Sequence, residues 1–80
     1  MPYIDQKRRF LLKKGESVET PGELNYMISQ ICFEYLQSHN LKYQTINEIV
    51  GALEGAKLEF YRRIAVPYEN DKIEQNGDVW

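Results

Sequence analysis

Apolar positions recur every three or four residues along two long stretches of the chain, and each stretch opens on a capping sequence. Leu24, Met27, Ile28, Ile31, Cys32, Tyr35 and Leu36 form the first, a broad apolar face that predicts a helix running to about residue 38. Its start is set by Thr20-Pro21-Gly22-Glu23: threonine at the N-cap, proline at N1 and glutamate at N3, with both reciprocal capping-box bonds expected. Val18 is close enough to add an apolar approach contact, and Ser38-His39-Asn40 ends the run. Ile46, Ile49, Val50, Leu53, Ala56, Phe60 and Ile64 form the second face. Thr45-Ile46-Asn47-Glu48 opens that helix by the same capping logic, and Pro67 ends it near Val66 because proline cannot continue the backbone bonding. The short connection between the two favours an antiparallel helical hairpin.

Outside the hairpin the pattern is weaker. Residues 4–13 read as a short helix or arm, with Ile4, Phe10, Leu11 and Leu12 as docking side chains, closed by Lys14-Gly15-Glu16-Ser17. Residues 67–80 show no helical period, so an irregular tail is expected, packing on itself or on a neighbouring protomer. Asn76-Gly77-Asp78 is a turn signal within it, since glycine accepts positive φ. Trp80 at the end of the chain reads either as an anchor on an apolar surface or as a frayed end. The expected architecture is all-α in a single small domain over residues 1–80.

The second helix carries a further stripe, Gly51, Gly55, Leu58, Arg62 and Ala65, facing away from its main apolar face. Glycines inside a helix each cost roughly 1 kcal/mol relative to alanine, and close approach by another helix or a ligand is the compensation. A monomeric hairpin needs one apolar face only, so the stripe, with Ala52 and Ala56 beside it, predicts helix packing between chains, against packing by the chain's own ends. The length of 80 residues points the same way, because a core this small is seldom self-sufficient.

Composition narrows the function classes. A single cysteine, Cys32, excludes an intrachain disulfide framework and a cysteine-based zinc cluster. The polar, basic start and the lack of a long apolar run predict neither a leader nor a membrane span, and hence a cytoplasmic protein without membrane partners. The net charge of −2 hides a gradient: Lys7, Arg8, Arg9, Lys13 and Lys14 oppose Asp5 at the start, while Glu69, Asp71, Glu74 and Asp78 oppose Lys72 at the end. That separation permits head-to-tail attraction, and the acidic remainder argues against general nucleic-acid binding.

Reactive chemistry finds little footing. His39 lies near a helix C-terminus, where an imidazole caps orphan carbonyls, and Cys32 lies on an apolar face. Neither the carboxylates of the second helix nor those of the tail have metal-ligand order, so no metal or other cofactor is expected. No nucleophile–base pair can be assembled, which predicts a protein that is not an enzyme.

The strongest polar constellation is Glu54, Lys57, Glu59, Tyr61, Arg62 and Arg63. Lys57 and Tyr61 share a helix face, as do Glu59 and Arg63, so the segment is either a solvated, salt-bridged face or a recognition surface for a carboxylate, phosphate or nucleotide. Lys57, Tyr61, Arg62 and Arg63 are its candidate ligand-binding residues. Asn25, Tyr26 and Ser29 beside Glu23 form a second polar patch, read either as a bridge from the amino-terminal arm to the hairpin or as ligand contacts by Asn25 and Tyr26. Gly51, Gly55, Leu58 and Trp80 are the candidate interface residues.

The blocks Pro21-Gly22-Glu23-Leu24-Asn25-Tyr26, Ala56-Lys57-Leu58-Glu59-Phe60-Tyr61-Arg62-Arg63 and Pro67-Tyr68-Glu69, then Lys72-Ile73 and Asn76-Gly77-Asp78, resemble a small uncharacterised family of bacteriophages and prokaryotes. The resemblance spans roughly residues 21–80 and implies no activity. The architecture is also similar to that of phage anti-defence sponge proteins, small helical oligomers that sequester cyclic nucleotides or related signals. That likeness implies a non-catalytic homo-oligomer holding a nucleotide-like anion, in the host cell's cytoplasm if phage-encoded. The alternative is a protein-interaction or structural module without a small-molecule ligand.

Overall fold

A computed structural model of the chain describes residues 4–80 and is all-α. Helices α1 (Gln6–Lys13), α2 (Pro21–His39) and α3 (Tyr43–Phe60) are followed by a π-helical turn, Tyr61–Ala65, and by α4 (Val66–Asn76). The chain divides into two compact units, Met1–Thr45 and Ile46–Trp80. Among the described residues no helix is long and apolar enough to cross a membrane.

In the first unit α1 forms because both of its ends are satisfied. Asp5 is the N-cap, its Oδ1 accepting the Arg8 N–H at 2.8 Å. At the other end Gly15 takes φ +101°, which lets Gly15 N–H reach the Leu12 carbonyl and Glu16 N–H reach the Leu11 carbonyl, a Schellman closure. Leu12, 1% exposed, packs with Ile4 and with Tyr26 of α2, and Met27 lies against that cluster. Phe10 does not join it and stands 59% exposed. Two positions apart on a helix are about 200° apart around its axis, so a short helix that docks Leu12 must turn Phe10 outward.

The α2 N-terminus follows the expected cap, with Thr20 Oγ1 accepting from Glu23 N–H at 3.1 Å. The reciprocal bond goes elsewhere: Glu23 Oε1 accepts from Glu19 N–H at 2.9 Å, one residue upstream of the capping-box partner. At the C-terminus Asn40 ends the helix at φ +72°, and the His39 ring stacks on Tyr35 with centroids 3.9 Å apart. His39 Nδ1 lies 2.9 Å from the Tyr35 carbonyl, the capping position expected of it.

The two long helices expected of the hairpin are both present, α2 and α3, joined by residues 40–42. The start of α3 corrects the sequence expectation. Thr45 is not an N-cap; the helix already begins at Tyr43, and Thr45 is buried within its first turn, donating its hydroxyl to the His39 carbonyl at 3.3 Å. That carbonyl belongs to the end of α2, and the hydroxyl satisfies an acceptor that the helix leaves without an internal partner.

The irregular tail is also corrected. Helical backbone continues past Pro67 to Asn76, where Gly77 at φ +84° donates to the Ile73 carbonyl at 2.7 Å. The π turn explains how proline is carried. Val66 N–H bonds to the Tyr61 carbonyl, five residues back, which widens the coil immediately before Pro67. A regular turn would press the proline ring against the Arg63 carbonyl and leave that carbonyl without its donor. The Gly77 turn signal is where the helix stops.

Candidate functional site

The Lys57–Arg63 segment straddles the end of α3 and the π turn, and its cations are paired locally, Arg62 and Arg63 sharing one carboxylate. Arg62 Nη2 donates to both oxygens of Glu59, at 2.9 and 3.0 Å, and Arg63 Nε donates to Glu59 Oε1. Hydrogen bonds from Arg63 and then Arg62 hold the Glu59 carboxyl below its ordinary range. Lys57 Nζ lies 3.6 Å from Glu54 Oε1. The Tyr61 hydroxyl donates to Glu69 Oε1 of α4 at 3.1 Å, and that carboxylate pushes the phenol's pKa up. Every candidate side chain of this cluster therefore has a carboxylate partner within its own unit. An anion there would compete with Glu59 for two guanidinium groups.

Asn25 and Tyr26 belong to the first unit. Asn25 is exposed and accepts from the Ser29 hydroxyl at 3.2 Å, whereas Tyr26 is buried in the core with Ile4 and Leu12. Of the interface candidates, Gly51 and Gly55 are open: a Cβ built on either would meet nothing within 4 Å among the described residues. Leu58 and Trp80 are exposed, and Trp80 N–H donates to Asp78 Oδ1 at 3.0 Å. Tyr68, Lys72, Ile73, Val79 and Trp80 share a shallow concavity of about 390 Å³ at the end of α4, where Lys72 Nζ stands 5.5 Å from the Tyr68 ring centre.

The most tightly organised polar group was not singled out from the sequence. Arg8 of α1 grips Glu23 of α2 with Nε on Oε2 at 2.7 Å and Nη2 on Oε1 at 2.8 Å, and Nη2 also donates to the Ser17 carbonyl at 2.7 Å. The Glu23 carboxyl is held down at about 2, first by the Arg8 hydrogen bonds and then by the Glu19 N–H, against a smaller opposing effect of burial. Glu19 adds a longer contact to Arg8 at 3.9 Å. Residues fifteen positions apart leave no periodic trace, so nothing in the pattern of the chain announces this pair.

Beside it lies a second concavity, of about 270 Å³, lined by Gln6, Arg9, Phe10 and Lys13 of α1 and by Tyr26 of α2. Gln6, Arg9, Phe10 and Lys13 follow the i, i+3, i+4, i+7 spacing of one helix face, a signal the sequence does contain. Among the described residues no group of three or more His, Cys, Asp or Glu side chains is placed to hold a metal ion.

The profile of a family described as Domain of unknown function (DUF6899) matches residues 1–79, and the chain belongs to that family. The match extends over more of the chain than the resemblance read from residues 21–80. No curated protein and no solved structure matches the chain.

Proposed function

We propose that this member of an uncharacterised family acts without catalysis, as a self-associating helical module that binds a second copy of itself through α3. The observation that carries the reading is that α3 has two contact faces and both stand open. Ile46, Val50, Leu53 and Phe60 are exposed on the apolar face, Phe60 by 66%, and no residue from Ile46 to Trp80 is buried within that unit. Fully burying such a side chain is worth about 1.5–3 kcal/mol, so leaving the face wet forfeits the main force that stabilises so short a unit. The opposite face, Gly51, Gly55 and Leu58, is smooth enough for a second backbone to approach closely.

A second copy fits that face by symmetry, since two α3 helices crossing antiparallel at Gly55 repeat each contact twice over, as a two-fold interface requires. The larger apolar face then takes a further helix of the assembly. Self-association has better support than anion capture at Lys57, Arg62 and Arg63, which already hold Glu54 and Glu59.

Light-scattering mass measurement across a dilution series tests the proposal. The expected result is a multiple of 9.5 kDa that falls toward the single-chain mass on dilution, and at higher concentration on Gly55→Leu. A mass of 9.5 kDa at every accessible concentration overturns it.

A further inference from the structure

The geometry points to a binding site for a small phosphate ester bearing a planar ring, in the concavity where α1 meets Tyr26. Its charge comes from a division of labour along α1. Arg8 takes up Glu23 and Glu19, and Asp5 spends its carboxylate on the Arg8 backbone N–H. Arg9 and Lys13, one turn apart and both lining the concavity, are left with no carboxylate partner among the described residues. The Arg9 Nε–H is covered from solvent and has no acceptor among the described residues. A guanidinium held like this loses hydration without gaining a partner, and an anion against its outer edge offsets that loss.

Two cations one helical turn apart match a phosphomonoester, which carries roughly −1.5 to −2 at neutral pH, better than a single carboxylate. A guanidinium also presents the planar fork that phosphate oxygens accept. The rest of the lining selects a ring. Phe10 stands exposed at the rim with Lys14 Nζ 5.1 Å from its ring centre, and Tyr26 contributes a buried aromatic wall. A volume of about 270 Å³ exceeds what a phosphate fills, a water occupying about 30 Å³ of liquid, and leaves room for one planar ring. Gln6 adds an amide with both donor and acceptor for ring substituents. The site lies wholly in the first unit and is independent of self-association through α3.

Calorimetry on the full chain with adenosine 5′-monophosphate, ribose 5-phosphate and adenosine tests the assignment. The monophosphate is expected to bind saturably, ribose 5-phosphate at least tenfold more weakly, and adenosine more weakly still, with affinity falling as salt is raised. Arg9→Gln and the exposed Lys13→Gln are each expected to weaken the monophosphate by tenfold or more with the circular dichroism spectrum retained. Phe10→Leu is expected to bring it to the affinity of ribose 5-phosphate, while Arg62→Gln leaves it unchanged. No saturable binding of the monophosphate overturns the proposal, as does binding that Lys13→Gln leaves intact or Arg62→Gln abolishes.

Discussion

At the residue scale, the Arg8–Glu23 pair fixes α1 to the start of α2 and makes that junction sensitive to acid. The folded Glu23 carboxyl lies at about 2 against an ordinary value of 4.5, so the folded state binds this proton less readily than the unfolded chain. Its stabilising effect is therefore complete above about 4.5 and is lost as the pH falls through about 2. Glu23→Gln is expected to lower the melting temperature at pH 7, with the gap to wild type closing toward pH 2 in a calorimetric series. Leu12 and Phe10, two positions apart in sequence, separate just as cleanly. Leu12→Ala should cost about 2–5 kcal/mol in a denaturant titration, while Phe10→Ala, on an exposed ring, should change stability by roughly 0.5 kcal/mol or less. The sequence marks both as apolar without saying which is inside, because the consecutive run Phe10-Leu11-Leu12 spreads over about 200° of the helix and its docked side is chosen by α2.

At the scale of elements, local signals were legible wherever neighbouring residues decide the outcome. Thr20 is the N-cap that its sequence announces, and Thr20→Ala should cost about 1 kcal/mol, read from the same denaturant titration. Glu23 illustrates the limit: its side chain serves Glu19 and Arg8, and only the second contact is beyond any local rule. The start of α3 was misplaced because Thr45 looks like a cap in one dimension and, in three, meets the carbonyl that ends α2. The C-terminal segment was missed because proline is a stop signal only for a regular α-helix. Here a π turn absorbs it. Pro67→Ala should restore the missing donor and let residues 61–67 adopt regular helical bonding, seen as slower amide exchange at 61–67 and increased helicity by circular dichroism. Unchanged exchange there would show that the π turn has another cause.

For the whole molecule, the two central glycines of α3 supply a test whose sign separates a lone chain from an assembly. Added methyls at Gly51 and Gly55 meet nothing within 4 Å among the described residues of their unit, so Gly51→Ala and Gly55→Ala should each stabilise an isolated helix by roughly 1 kcal/mol. Where two α3 helices close on those positions, the same substitutions should instead weaken association, read as a lower mass at fixed concentration. The all-α class was legible from periodicity, and membership of an uncharacterised family from the sequence blocks. The concavity on α1 was not, since its charge depends on which arginine the acidic residues choose, and that choice is made by packing.

The helical run of the second unit, from Ile46 through the π turn to Asn76, buries no residue within that unit. For a protein assembled through that run, abundance becomes a clock. A copy made in excess of its partners keeps the helix frayed, and frayed backbone is what proteases cut. Newly made chains should thus be short-lived when scarce and long-lived once they have met, so that the cell holds assembled copies and clears solitary ones without any dedicated recognition signal.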